Sequence, residues 1–199
     1  MIKYDNNTIN KLATDATVNK MYYGGNVVYL AVNGEEPPTP FSGKYKFTLS
    51  DDSVVSGECD ASSAITSGET SAYQITLKGV EIGDCVASIG NGAFSGCTSL
   101  TSIDIPDSVT SIGRYTFDDC SGLISIDIPN SVTSIGDGAF NFCFGLASVT
   151  VNAITPPTLG TRAFYKIKNF TIYVPAESVN AFKTATNWST YASRIQAIP

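Results

Sequence analysis

CTSLTSIDIPDSVTSIG, residues 97–113, is answered 23 residues later by CSGLISIDIPNSVTSIG, residues 120–136. Sliding the chain against itself by that interval aligns Ile89, Ile112 and Ile135; Phe94, Phe117 and Phe140; Cys97, Cys120 and Cys143; and Leu100, Leu123 and Leu146. Val86, Val109 and Val132 align as well, as do Ile103, Ile126 and Val149, then Ile105, Ile128 and Val151, and Pro106 meets Pro129. The register fades outward. Leu77, Val80 and Ile82 precede the series by one period, and Phe164, Ile172, Val174 and Pro175 follow it. Three clear copies with a degenerate one at each side predict about four to five coils.

A period in this range with Leu and Ile at fixed offsets indicates a mainly β leucine-rich solenoid. The phrase can be read piece by piece. Leu100-x-x-Ile103-x-Ile105 ends in the alternation of a strand with one buried face. Pro106-Asp107 and Pro129-Asn130 stop it, because Pro presets φ for a turn and Asp or Asn bonds the backbone beyond. Val109-x-x-Ile112 returns along a second wall to Gly113, where a positive φ is expected. The following Ala-Phe or Thr-Phe marks a short helical turn with its Phe inward. One coil cannot cover its own core; stacked coils bury a continuous column.

The phrase I-G-x-x-[AT]-F-x-x-C-x-x-L-x-S-I-x-I-P-x-S-V resembles the BspA-like (Treponema-type) leucine-rich repeat over residues 77–175. The resemblance implies a right-handed β-solenoid and a bacterial surface or secreted role in adhesion, often to host proteins. The tail PAESVNAFKTATNW is similar to C-terminal caps of that family. Residues 1–33 loosely resemble short N-terminal hairpins of tail-associated proteins from gut-bacterial phages.

Five segments are expected. Residues 1–33 form a small β appendage, with KMYYGGNVVYLAV alternating around Gly24-Gly25 as a hairpin does. Residues 34–40, GEEPPTP, read as a linker. Residues 41–76 hold a hairpin, KYKFTL against SVVSGEC, that caps the first coil, followed by a polar loop or irregular helix over 61–72. The solenoid covers 77–175. Residues 176–199 form the C-terminal cap, helical from Ala176 to residue 197, with Val179, Phe182, Trp188, Tyr191 and Ile195 sealing the last coil.

Composition narrows the function. Charged residues are only 15% of the chain, and Ser and Thr fill the polar positions instead, as suits exposed β structure. The net charge of −6 divides into −3 over residues 1–78, −7 over 79–161 and +4 over 162–199. The acidic middle repels phosphate, which argues against nucleic acid. No stretch has the apolar length of a membrane span. The N-terminus lacks the apolar core of a signal peptide, so the chain is expected to be intracellular, unconventionally exported or trimmed. The odd count of five Cys predicts free or buried thiols throughout.

The chain has no His, which removes the commonest general base and transition-metal ligand. No P-loop, G-x-G-x-x-G, G-x-S-x-G or Cys-x-x-Cys motif is present. Asp51-Asp52 and Asp118-Asp119 read as solvated turns without EF-hand spacing. No catalytic residue, metal or cofactor is expected.

The outward strand positions form the candidate ligand face: Glu81, then Ser102 and Asp104, Ser125 and Asp127, Ser148 and Thr150, and finally Tyr173. Strands stack about 4.8 Å apart, so Glu81, Asp104 and Asp127 are expected as one carboxylate column, mildly unfavourable in itself. Such a face suits a cation, basic side chains or sugar hydroxyls; solubility alone is the plainer reading. The expected function is a non-catalytic binding module for a protein or glycan at a bacterial or host surface. The alternative is a structural or receptor-binding component of a phage virion, with residues 1–33 as a docking element that also allows self-association.

Overall fold

Alternating apolar positions every 23 residues fold into stacked coils in the computed structural model, which describes residues 20–23, 26–29, 43–59 and 62–199. The chain divides into two units, Met1–Phe41 and Ser42–Pro199. In the first, β1 (Lys20–Tyr23) pairs antiparallel with β2 (Asn26–Tyr29), Tyr23 opposite Asn26, as the Gly24-Gly25 signal predicts. The linker expected at 34–40 lies outside the described residues.

The second unit begins with β3 (Tyr45–Leu49) and β4 (Val54–Gly57), an antiparallel hairpin around Ser50-Asp51-Asp52. Next come β5 (Ala64–Ile65), the single turn α1 (Ser67–Thr70) and a 3-10 turn at Ser71–Tyr73. The longer strands β6 (Leu77–Ile82), β8 (Ser102–Asp104), β10 (Ser125–Ile128), β12 (Ser148–Val151) and β14 (Thr171–Val174) alternate with the short strands β7 (Ser88–Ile89), β9 (Ser111–Ile112), β11 (Ser134–Ile135) and β13 (Thr158–Leu159). The final elements are a 3-10 turn at Ala176–Ser178, α2 (Val179–Thr184), a 3-10 segment at Trp188–Arg194 and β15 (Ile195–Ala197).

Two parallel walls result. Short strands form one sheet in the order β13-β11-β9-β7-β5. The long strands form the other wall as two four-stranded sheets, β4-β3-β6-β8 and β10-β12-β14-β15. The hairpin adds to this wall antiparallel, β3 against β6, so it extends the sheet at its N-terminal edge. This is a repeat solenoid.

Between the walls lies one apolar core. Phe94, Phe117, Phe140 and Phe164 stack ring on ring at 5.4, 5.2 and 5.2 Å, with planes within 6–8° of parallel. Phe47 meets the first ring edge-on, and Tyr191 meets the last in the same way. Both exposed ends of the ring column are thereby closed. Cys97, Cys120 and Cys143 lie buried beside it. The Cys120 and Cys143 thiols donate to the carbonyls of Phe94 and Phe117, each at 3.0 Å.

The Ser and Thr content has a structural cause. The hydroxyls of Thr101, Thr110 and Thr133 donate to the carbonyls of Lys78, Ala87 and Thr110, each 23 residues back. Ser108 and Ser131 bond Val86 and Val109 in the same manner. Each hydroxyl stitches its coil to the one before, without the charge a longer polar side chain would bring.

Four sequence expectations need correction. Cys59 and Cys85 form a disulfide, tying the loop after β4 to the loop after β6. The periodic three belong to the core, which leaves an even pair outside it; counting all five together concealed this. Gly113 does not take a positive φ. Its hydrogen is needed because a Cβ there would sit 2.6 Å from the Asn91 nitrogen, and at Gly136 2.6 Å from that of Arg114. The positive-φ positions lie further on, in the turns. The stretch 61–72 holds the expected irregular helix as α1 and the 3-10 turn that follows it, but it also contains β5, which joins the short-strand wall at its edge. Finally, the C-terminal cap is not helical to residue 197: α2 ends at Thr184, and β15 pairs parallel with β14, Ile195 beside Ile172. Those two residues are one period apart, so the cap completes a coil whose second wall has been replaced by helix.

Candidate functional site

Each long strand buries its Ile or Val and turns the alternate residues outward. The pairing places Gly79 beside Ser102 and Glu81 beside Asp104. Further along it places Ser125, Ser148 and Thr171 in one row, and Asp127, Thr150, Tyr173 and Gln196 in the next. Ser102, Asp104, Ser125 and Asp127 are exposed; Glu81, Ser148, Thr150 and Tyr173 are half-buried.

The three acids do not form a uniform column. Glu81 meets Lys46, its neighbour on β3, at 3.5 Å. Asp127 accepts a 2.8 Å hydrogen bond from Asn152 Nδ2. The ladder is interrupted between β8 and β10, and across that break the charge of Asp104 acts on Asp127. Crowding by the neighbouring strands raises the Asp127 carboxyl above its usual range although it lies on the exposed face. Asp104's charge adds to the rise and the Asn152 hydrogen bond opposes it. The exposed carboxylates of the wall, Asp104 and Asp127, thus lie in its middle.

A second surface was not foreseen. Beyond the short strands, an open groove of about 410 Å³ runs across three coils. Ser111, Ser134 and Thr158 line it, with Asn91, Arg114 and Asp137 along one side. Arg114 Nη2 lies 3.3 Å from Asp137 Oδ2. Asp137 Oδ1 also accepts from the Thr161 backbone N–H at 2.8 Å and from the Thr161 hydroxyl at 3.0 Å. Those two bonds, with Arg114's charge a lesser cause, hold the Asp137 carboxyl below its ordinary value. The signal was in the sequence: Asn91, Arg114, Asp137 and Thr161 occupy the place after each Ile-Gly, or Leu-Gly in the last case. It was missed because the residue type changes at every coil.

The three core thiols are poor nucleophiles. Burial pushes Cys97 and Cys143 up to about 12 and raises Cys120 as well. Among the described residues no three Cys, Asp or Glu side chains are grouped to hold a metal ion.

The BspA type leucine rich repeat region matches residues 67–191 in six copies. Two solved structures are similar. A leucine-rich repeat protein from Bacteroides ovatus ATCC 8483 is 27% identical, with a TM-score of 0.47, covering 62% of this chain and 30% of that one. A leucine rich cell surface protein from Faecalibacterium prausnitzii A2-165 is 26% identical, with a TM-score of 0.43, covering 82% and 55%. This chain therefore spans about a third and about half of their lengths. No curated protein matches it.

Proposed function

Because this chain belongs to the BspA-type leucine-rich repeat family, we propose that it is a non-catalytic binding module whose long-strand wall receives a protein or glycan at a bacterial or host surface. The observation carrying this reading is the outward pair Asp104 and Asp127 with Ser102 and Ser125 beside them, exposed at the break in the ladder. Two carboxylates and two hydroxyls offer acceptors and donors to one ligand. Basic side chains or sugar hydroxyls suit them. In support of a non-catalytic role, the groove on the other wall holds a single carboxylate, already engaged by Arg114 and Thr161.

The test is a glycan and matrix-protein array probed with the wild type and with Asp104→Ser/Asp127→Ser. Loss of the strongest signals in the double variant supports the wall as the site. A partner bound equally by both proteins excludes it.

A further inference from the structure

The turns that join the short-strand wall back to the long one form an edge whose character changes from coil to coil. Two columns of it matter. In the first, Asp119, Phe142 and Lys166 occupy one structural position in successive coils, with φ of 57, 56 and 66°. In the second, Tyr115, Gly138 and Arg162 do the same, with φ of 52, 58 and 56°. Backbone bonds hold them in step: Asp119 N–H to Asn141 O and Phe142 N–H to Tyr165 O in the first, Tyr115 N–H to Asp137 O and Gly138 N–H to Thr161 O in the second.

The left-handed backbone region costs a non-glycine residue about 1–2 kcal/mol. The preceding coil meets this requirement with Gly92 and Gly96 at φ of 60 and 74°. The later coils keep Tyr115, Asp119, Phe142, Arg162 and Lys166 instead, although glycine fits. Strain retained where an unstrained residue is available marks side chains with work to do. Tyr115 is 45% accessible, and Asp119, Arg162 and Lys166 are exposed too; Phe142 is half-buried, and beside it lie the exposed Phe144 at 61% and Tyr165 at 42%. Phe142 sits 5.8 Å from Phe144 and 6.1 Å from Tyr165. Exposed aromatics beside Arg are the composition of interface centres.

The order along the edge is acid, aromatic, base. A two-fold axis passing near Phe142 and Gly138, perpendicular to the edge, exchanges the coil before with the coil after. It brings Asp119 of one copy to Lys166 of the other, Tyr115 to Arg162, and Phe142 to its own equivalent. Arg162 and Lys166 already lie 5.7 and 5.2 Å from the Tyr165 ring, so both cations are disposed to aromatic faces. Closed symmetry requires just such a self-complementary patch. We propose that this edge is an isologous interface through which two copies of the chain pair. A neutral glycan would occupy the rings and leave the opposed charges at the two ends without a role.

Sedimentation velocity of the full chain from about 1 µM to about 1 mM spans the relevant affinities. The wild type is expected to dimerise. Asp119→Lys or Lys166→Asp alone places like charges together and should weaken pairing about tenfold or more. The double variant Asp119→Lys/Lys166→Asp restores opposite charges and should return the affinity to within about threefold of wild type. Both residues hold the same backbone conformation, so exchanging them asks nothing new of the fold. Phe144→Ser, at an exposed position of ordinary φ, should also weaken the dimer. A monomer throughout the range overturns the proposal. So does a dimer indifferent to the single reversals, which would be held by another surface such as residues 1–33, or a double variant no better than the singles.

Discussion

Phe117 and Phe140 stack with ring centroids 5.2 Å apart and planes 8° from parallel, each ring covered on both faces by a neighbour. Removing either leaves a void that the flanking rings cannot close without pulling coils together. Phe117→Ala should destabilise by about 3–5 kcal/mol, read from urea unfolding. Because a solenoid coil contacts only its neighbours, the loss should also broaden the transition. A cost near that of an exposed substitution would mean that the column is not the stabilising spine.

Gly136→Ala and Gly79→Ala make opposite predictions. At Gly136 the new Cβ would meet backbone of the previous coil at 2.6 Å, and backbone cannot swing aside as a side chain does. Overpacking of this kind costs about 1–3 kcal/mol. At Gly79, within β6, the nearest atoms are side-chain atoms of Ser102 and Thr48 at 3.7 Å, ordinary contact. There the Ala should gain about 0.5–1 kcal/mol by losing glycine's unfolded-state freedom. Paired thermal melts decide; equal shifts in both variants would contradict the coil-contact argument.

Thiol counting checks the cysteine assignment. Native protein should give almost no reaction with a thiol reagent, because Cys97, Cys120 and Cys143 are buried and burial holds their protons on. Denaturation without reductant should release three thiols, and denaturation with reductant five. Five thiols without reductant would refute the Cys59–Cys85 bond.

Lys44 is 3% exposed and meets Glu69 Oε1 at 2.7 Å, joining the hairpin to the first coil. Glu69 also accepts the Thr66 N–H at 2.6 Å at the start of α1. Glu69→Ala should destabilise the protein, because it removes a carboxylate from a buried ammonium. The double variant with Lys44→Met should recover much of that, and a double-mutant cycle in urea measures the coupling.

The solenoid was legible because its cause is periodic. Ile103, Ile126 and Val149 repeat at one interval and face one core, so sequence spacing and spatial stacking are the same fact. The outward row was equally legible, since strand alternation decides it once the inward residues are known. What lay beyond reach depends on contacts between unlike residues. Lys46 neutralises Glu81 from a hairpin that carries no repeat, so the carboxylate column could not be judged from the repeat alone. The Arg114–Asp137 pair joins two coils through a position whose residue type differs in each. The return of Ile195 to the strand wall was hidden because α2 and the 3-10 segment supplied convincing helical spacing just before it. The Gly113 misreading has a related origin: glycine signals either a positive φ or a close approach, and only the neighbouring coil distinguishes them.

Asp127 and Asp137 should move stability in opposite directions with pH. The Asp127 carboxyl is raised above the ordinary 3.8 by burial and by Asp104's charge. An acid of that kind binds its proton more tightly when folded, so it favours the fold fully below about pH 3.8, and the benefit fades as pH rises through the raised value. Asp127→Asn keeps an acceptor for Asn152 and removes the like charge opposite Asp104. It should stabilise at pH 7 by a few tenths of a kcal/mol, with the difference vanishing in acid. The Asp137 carboxyl is lowered by its two bonds from Thr161. Its contribution is present above about pH 3.8 and is lost as pH falls through the lowered value. Asp137→Asn should therefore melt earlier than wild type at pH 7, and the gap should close below pH 3.8. Melting curves from pH 3 to 7 for both variants test this together. Shifts of the same sign at pH 7 would show that one of the two carboxylates is held differently from the geometry described.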